Sequence, residues 1–298
     1  MELNDNGNSF VFQLKNGNFI INDGGQEIDA PYLVDYIESL TPEGKKPVIE
    51  AWFITHAHSD HFGAIWKIAS DMTLKDRLIV NGVYFTEPNI NAAAWAINPL
   101  QYLMNCRMVS NAFKTEDGSI TPMFRPQIGQ KYYFCDIVID VLLTAEQLPF
   151  CSYNSDDLND TSIWLMHHIE GQKVLIAGDA NNIAMRKVME LYDSEYFDLD
   201  VMAVFHHGIN VYDYFTEFVS VKTLLYTIYR AGSMYTDGSW REAKEANLNL
   251  QNAVKEFYHR GDGTVVLTFP YNVGDAVILP PLDWKYNPTP GKPEREEL

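Results

Sequence analysis

Cysteine is scarce in this 298-residue chain: there are three, Cys106, Cys135 and Cys151. The number is odd and no pair has CxxC spacing, so neither a disulfide framework nor a cysteine-only zinc site organises the fold. Cys135 lies within the apolar run Tyr132–Val141 and reads as a core residue. Long apolar runs are missing too. No stretch reaches the roughly 18 residues needed to cross a bilayer. The opening Met1–Asn8 is polar, without the apolar centre of a secretion signal, which predicts a cytoplasmic protein. Positive charge is also in short supply: 22 Lys and Arg face 40 Asp and Glu, a formal net charge of −18. Such a surface repels phosphate backbones, which disfavours nucleic acid as a partner and leaves a small-molecule substrate as the expectation.

What is present is a core-forming composition. Hydrophobic residues make up 46% and charged residues 21%, outside the range of disordered chains. The length suits one α/β unit, and nothing resembles a linker. A single domain over residues 1–286 is predicted, followed by a flexible Pro- and charge-rich tail at 287–298.

Ser9–Leu14 alternates, Asn16-Gly17-Asn18 is a turn signal, and Phe19–Asn22 resumes the strand. A helix is expected over Pro31–Leu40, then a buried strand over Val48–Thr55 and a helix from Gly63 to Ala69. Strands are predicted at Leu78–Phe85, Lys131–Leu143, Thr161–Met166, Lys173–Ala177, Val201–Phe205, Thr223–Tyr226, Thr264–Phe269 and Asp275–Ile278. Helices are predicted at Asn91–Phe113, interrupted at Pro99, at Asn181–Tyr192 and at Glu242–Tyr258. Strands first, then strand and helix mixed in two halves, predict an α/β protein built as a four-layer αββα sandwich.

The segment Thr55-His56-Ala57-His58-Ser59-Asp60-His61 concentrates the chemistry. His56 and His58 are two apart off the end of a strand, so in extended backbone both rings lie on one face and can reach one metal ion. Asp60 and His61, at the start of the following helix, can reach a second ion beside the first. Imidazole and carboxylate are donors that zinc, iron and manganese accept.

This HxHxDH element resembles the signature of the metallo-β-lactamase superfamily, and other segments fall in that family's order. Asp23 resembles the residue that orients the metal-binding loop from behind the ligands. Gly178-Asp179, after an apolar strand, resembles the motif whose Asp bridges two metals; taken alone, Asp179 reads equally well as a helix N-cap. His206-His207-Gly208 resembles the last histidine motif. His206 is favoured as the ligand because it comes straight off the strand, with His207 turned toward substrate. Asn159-Asp160-Thr161-Ser162, then Val174–Asp179, Asp200-Val201 and the His-His-Gly motif, are similar to the ComEC/Rec2-like branch and to phosphorylcholine esterases. The lone histidine that the family usually carries between HxHxDH and the bridging Asp has no clear counterpart. His167 and His168 read as solvent-edge residues, and Cys151, Asn154, Asp156, Asp157, Asn159 or a water remain open for the position. His259 reads as a helix-end cap.

The resemblance implies a binuclear metal-dependent hydrolase using a metal-activated hydroxide. Its metal ligands would be His56, His58, Asp60, His61, Asp179 and His206, with two zinc ions as the expected cofactors and iron or manganese as alternatives. Asp60 and His207 are the candidates for proton transfer. The expected substrate is a small phosphodiester or ester. Aromatic side chains in three segments, among them Trp95, Tyr102, Phe150, Tyr153, Tyr212, Tyr214 and Tyr235, would suit an apolar or cationic group such as choline. A lactone, thioester or amide hydrolase, or a non-catalytic metal-binding protein, are the alternatives.

Overall fold

The computed structural model describes residues 1–3, 7–87, 99–148, 158–209, 211–227, 241–259 and 262–280. The 287–298 segment and the first part of the Asn91–Phe113 helix lie outside them. Two sheets dominate. The first contains β1 (Ser9–Gln13), β2 (Phe19–Asp23), β3 (Val48–Phe53), β4 (Ile79–Val80), β5 (Val83–Tyr84) and β6 (Met123–Phe124), in the order β1-β2-β3-β5-β6 with β4 also on β3. The second contains β7 (Lys131–Phe134), β8 (Ile137–Leu143), β9 (Trp164–Ile169), β10 (Gln172–Ile176), β11 (Asp198–Ala203), β12 (Ser220–Tyr226) and β13 (Glu256–His259), ordered β13-β12-β11-β10-β9-β8-β7. A separate hairpin pairs β14 (Thr264–Val266) with β15 (Val277–Leu279). The helices are α1 (Ala30–Ser39), α2 (Ser59–Ser70), α3 (Met72–Lys75), α4 (Pro99–Val109), α5 (Asn182–Leu191), α6 (Asp213–Thr216) and α7 (Arg241–Ala253).

The layers follow from the period-2 alternation of side chains along each strand. In the first sheet, Phe19, Ile21, Trp52 and Ile54 pack outward against Leu33 and Ile37 of α1 and Ile65 and Ile68 of α2. Their neighbours Ile20, Ala51 and Phe53 face the other way. They meet Ile139, Val141, Leu165, Ile176, Val201 and Ala203 of the second sheet. On that sheet's outer face, Trp164, Met166, Leu175 and Met202 pack against Met185 and Val188 of α5 and Leu250 of α7. Three apolar layers thus separate four structural layers: helices, sheet, sheet, helices. Each large side chain fully buried in them contributes about 1.5–3 kcal/mol.

Several expectations change in detail. The predicted strand Lys131–Leu143 is a hairpin, because Cys135 adopts a left-handed φ of 45° and turns the chain. Cys135 is therefore exposed at a hairpin tip rather than in the core. Leu78–Phe85 splits into β4 and β5, both parallel to β3. The final long helix stops at Ala253, and Glu256–His259 pairs in parallel with β12 instead. His259 is consequently not a helix cap but a buried strand residue stacked on Tyr226, ring centroids 4.7 Å apart.

His167 departs most from its expected place. It points inward from β9 and is fully buried between the sheets, stacked on Phe12 with ring centroids 4.7 Å apart. Its Nε2 lies 3.1 Å from Asn22 Oδ1. His168, one residue on and facing outward, does reach the surface and lies 3.2 Å from Asp140. Burial pushes the His167 imidazole down to about 3 from its usual 6.5. The unfolded chain therefore binds the proton that the folded chain refuses between those values. This contribution to stability is intact above pH 6.5 and falls as pH drops toward 3, at up to about 1.4 kcal/mol per pH unit. Urea unfolding of His167→Phe between pH 6.5 and 4 is expected to show a shallower loss of stability with acid than the wild type. Equal slopes would mean that His167 does not titrate as this burial requires.

Candidate metal centre

The parallel strands of both sheets deliver their C-terminal ends to one edge of the sandwich. β2 and β3 run parallel in the first sheet, and β10, β11 and β12 in the second. The segments leaving these strands carry Asp23, Thr55-His56, Gly178-Asp179, His206-His207 and Thr227. The bond from Ile163 N to Thr55 O (3.0 Å) ties the two edges together.

Asp23 is fully buried at the end of β2 with φ 58°, a left-handed conformation that Asp tolerates better than most residues. Its Oδ1 accepts from Thr55 N at 2.7 Å, and its Oδ2 lies 2.8 Å from His61 Nδ1 and 2.8 Å from Thr55 Oγ1. Trp52 Nε1 donates to its carbonyl at 2.8 Å. The carboxylate thus fixes the loop and directs His61 Nε2 away from itself, into the cluster.

Asp179 stands at the centre. His61 Nε2 is 3.1 Å from its Oδ1, and His206 Nε2, His207 Nε2 and His56 Nε2 are 3.6, 3.6 and 3.8 Å from its Oδ2. His56 Nε2 is also 3.0 Å from His58 Nδ1. His207 Nε2 is 3.0 Å from Asp60 Oδ2, with its Nδ1 2.8 Å from Thr227 Oγ1. The cap of α5 is Asn181, whose side chain accepts from Ile183 N and Ala184 N, so the N-cap alternative for Asp179 does not apply.

Two donor groups emerge, each with its ligand atoms within 4.8 Å of one another. One is Asp60, His61, Asp179 and His207; the other is His56, His58 and Asp179. They share Asp179. His206, favoured from sequence as the ligand, keeps 23% of its side chain exposed, whereas His207 keeps 4% and joins the four-residue group. The physical reason is the turn after β11: His206, His207 and Gly208 have φ of 47°, 55° and 96°, and this left-handed run swings the second ring inward.

The electrostatics match these contacts. Burial pushes the Asp179 carboxyl up, but the imidazoles of His61 and His207 outweigh it and hold it well below the carboxylate range. Burial likewise raises Asp60, and His61 and His207 more than reverse that. His61 is the converse: burial disfavours its charge, yet Asp179, Asp23 and Asp60 raise it well above 6.5. His56, buried beside His61, is pushed well below. A proton on His61 here balances charge that a divalent cation would balance better. The Nε2 of His61 is buried 3.1 Å from Asp179 Oδ1 and makes no hydrogen bond of good geometry among the described residues. A lone pair directed into a nest of carboxylate and imidazole donors fits a metal ion.

Three more residues shape this site: Gly178 and Ser162, which sequence reasoning quoted within motifs without giving them a role, and Thr227, which it missed. Gly178 has φ 53°, and a Cβ there would lie 2.5 Å from Thr55 Oγ1. Ser162 accepts from Asp179 N at 3.2 Å. Thr227 anchors His207. A small or hydroxyl residue at the end of an apolar strand was the available signal. Of the candidates for the absent histidine, Asn159 is buried near the entry to β9, and Cys151, Asn154, Asp156 and Asp157 lie outside the described residues, as do Trp95, Phe150, Tyr153 and Tyr235. Tyr212 and Tyr214 stack on each other at 5.6 Å, with Arg186 over Tyr214.

No family model matches the chain, and no curated protein does. Among solved structures it is similar to the metallo-β-lactamase fold protein YhfI from Bacillus subtilis, at 12% identity and TM-score 0.47, covering 85% of this chain and 88% of that one. It is similar to Zn(2+)-bound PqqB from Methylobacterium extorquens at 9% identity and TM-score 0.47, covering 84% of each chain. It is also similar to Igni18, a metallo hydrolase from Ignicoccus hospitalis, at 16% identity and TM-score 0.45, covering 86% of this chain and 92% of that one.

Replacing Gly178 by Ala forces a strained φ and a clash on Thr55 and is expected to cost about 2–4 kcal/mol, with weaker metal binding, measured by denaturant unfolding and metal titration. Asp23→Asn is expected to keep the fold while lowering metal affinity by about 10–100-fold. Unchanged affinity in Asp23→Asn would remove Asp23 from the site's support.

Proposed function

We propose that this protein is a metal-dependent hydrolase with a binuclear centre. The observation that carries the reading is the meeting of two donor groups at one buried carboxylate, Asp179. His56, His58 and Asp179 would hold one ion, and Asp60, His61, Asp179 and His207 the other. Zinc suits this nitrogen and oxygen donor set, as do iron and manganese.

Divalent ions bound there supply Lewis acidity and lower the pKa of a coordinated water from 15.7 to about 7. The chain's own residues supply the rest. Asp23 holds the His61 ring by Nδ1 and keeps Nε2 directed at the centre. Asp60 keeps 21% of its side chain exposed while Asp179 keeps 2%, so of the two carboxylates Asp60 is the one placed to accept a proton from the substrate side. His207, a proton-transfer candidate from sequence, is engaged at both ring nitrogens. The partly exposed His206 takes over the donation of a proton to the leaving group.

The net charge of −18 opposes a polyanionic substrate and favours a small phosphodiester or ester, neutral or cationic away from the scissile bond. Hydrolysis of a lactone, thioester or amide would use the same donors.

Elemental analysis of protein purified without chelator is expected to find two divalent ions per chain, and Asp179→Ala is expected to lose both. On a panel of chromogenic phosphodiesters and esters, His56→Ala and Asp60→Ala should abolish turnover. Metal-free wild-type protein that takes up no zinc, iron or manganese on titration would end this reading.

A further inference from the structure

The two inward-facing rings of the four-residue group are anchored differently. His61 Nδ1 rests against the carboxylate of Asp23, an acceptor only. His207 Nδ1 rests against Thr227 Oγ1 at 2.8 Å, and a hydroxyl both donates and accepts. Thr227 is buried, lies one residue beyond β12, and is 20 residues from His207 in sequence. Its position is set by the parallel pairing of β11 with β12, in which Ala203 is the partner of Leu225. By contrast, His206 Nδ1 is buried with no hydrogen-bond partner among the described residues. One ring of the pair is anchored at Nδ1 and the other is not, among the described residues.

We propose that Thr227 is a positioning residue that selects His207 over His206 as the metal-binding member of the pair. It does so by accepting the Nδ1 proton of His207, which would present the Nε2 lone pair to an ion held with it by Asp60 and Asp179. The same hydroxyl reverses its role when Nε2 carries the proton and bonds to Asp60 Oδ2 at 3.0 Å. The ring is then held in one orientation in both tautomers. A valine at 227 has nearly the same shape and neither capacity; a serine has both. The inference rests on the metal-dependent reading above and adds to it the identity of the ligand and what fixes it.

Cobalt(II) is the probe, followed by its visible absorption and by competition with a chelator. Wild-type protein is expected to bind two ions. Thr227→Val should weaken one of them by about 10–100-fold and alter the visible band, while Thr227→Ser restores both affinity and band. His206→Ala should retain both ions and His207→Ala should lose one. The melting curve of the metal-free Thr227→Val protein should match that of wild type, which separates positioning from folding. A measurement without any variant is the 15N shift pattern of the His207 ring in zinc-loaded protein, which should report a protonated Nδ1. Wild-type protein that binds no cobalt overturns both the metal reading and this one. Two ions held with wild-type affinity by Thr227→Val, an ion lost in His206→Ala instead of His207→Ala, or a protonated Nε2 in the loaded protein each overturns this inference alone.

Discussion

The site depends on a single costly group, the carboxylate of Asp179, 2% exposed between two sheets. An ionised carboxylate removed from water is stable only if opposite charge or strong donors surround it. Four imidazoles from two separate segments do so here, at 3.1–3.8 Å. Each segment must leave its strand at a fixed height and angle for the rings to converge. The parallel pairing of β10 with β11 and of β2 with β3 sets the heights, and the turns that follow set the angles.

Those turns are the least comfortable backbone near the site. Asp23, His206 and His207 occupy left-handed φ as residues with side chains, and Gly178 does so where nothing larger fits. Each such residue costs on the order of 1–3 kcal/mol and persists because its surroundings over-determine it. The surroundings are visible: Trp52 and Thr55 bond to Asp23, and His206 N donates to Gly178 O at 3.1 Å. Strain and support lie in adjacent residues.

Much of this was legible in the sequence, and the reasons are local. The HxHxDH element is contiguous, and period-2 burial wrote the sandwich into strands such as Phe19–Asp23, whose alternate residues serve two different cores. What sequence could not assign was set by tertiary geometry. His206 and His207 are neighbours with identical chemistry, and only the left-handed run through Gly208 decides which turns inward. His167 looked like a hairpin-edge residue, yet its strand is covered on both faces, so an inward position there has no solvent. Cys135 was hidden in an apolar run because the turn at Cys135-Asp136 lacks the glycine or asparagine that usually marks one.

The pairing of Asp60 with His207 spans 147 residues of chain. One sheet brings the first partner and the other sheet brings the second, so no local stretch contains a complete donor group for the ion at Asp60. A nascent chain has only Asp60 and His61 to offer a metal at that position until the sandwich has closed. An ion binding there would therefore favour the finished topology over partly assembled ones, a clasp between two halves that have already met.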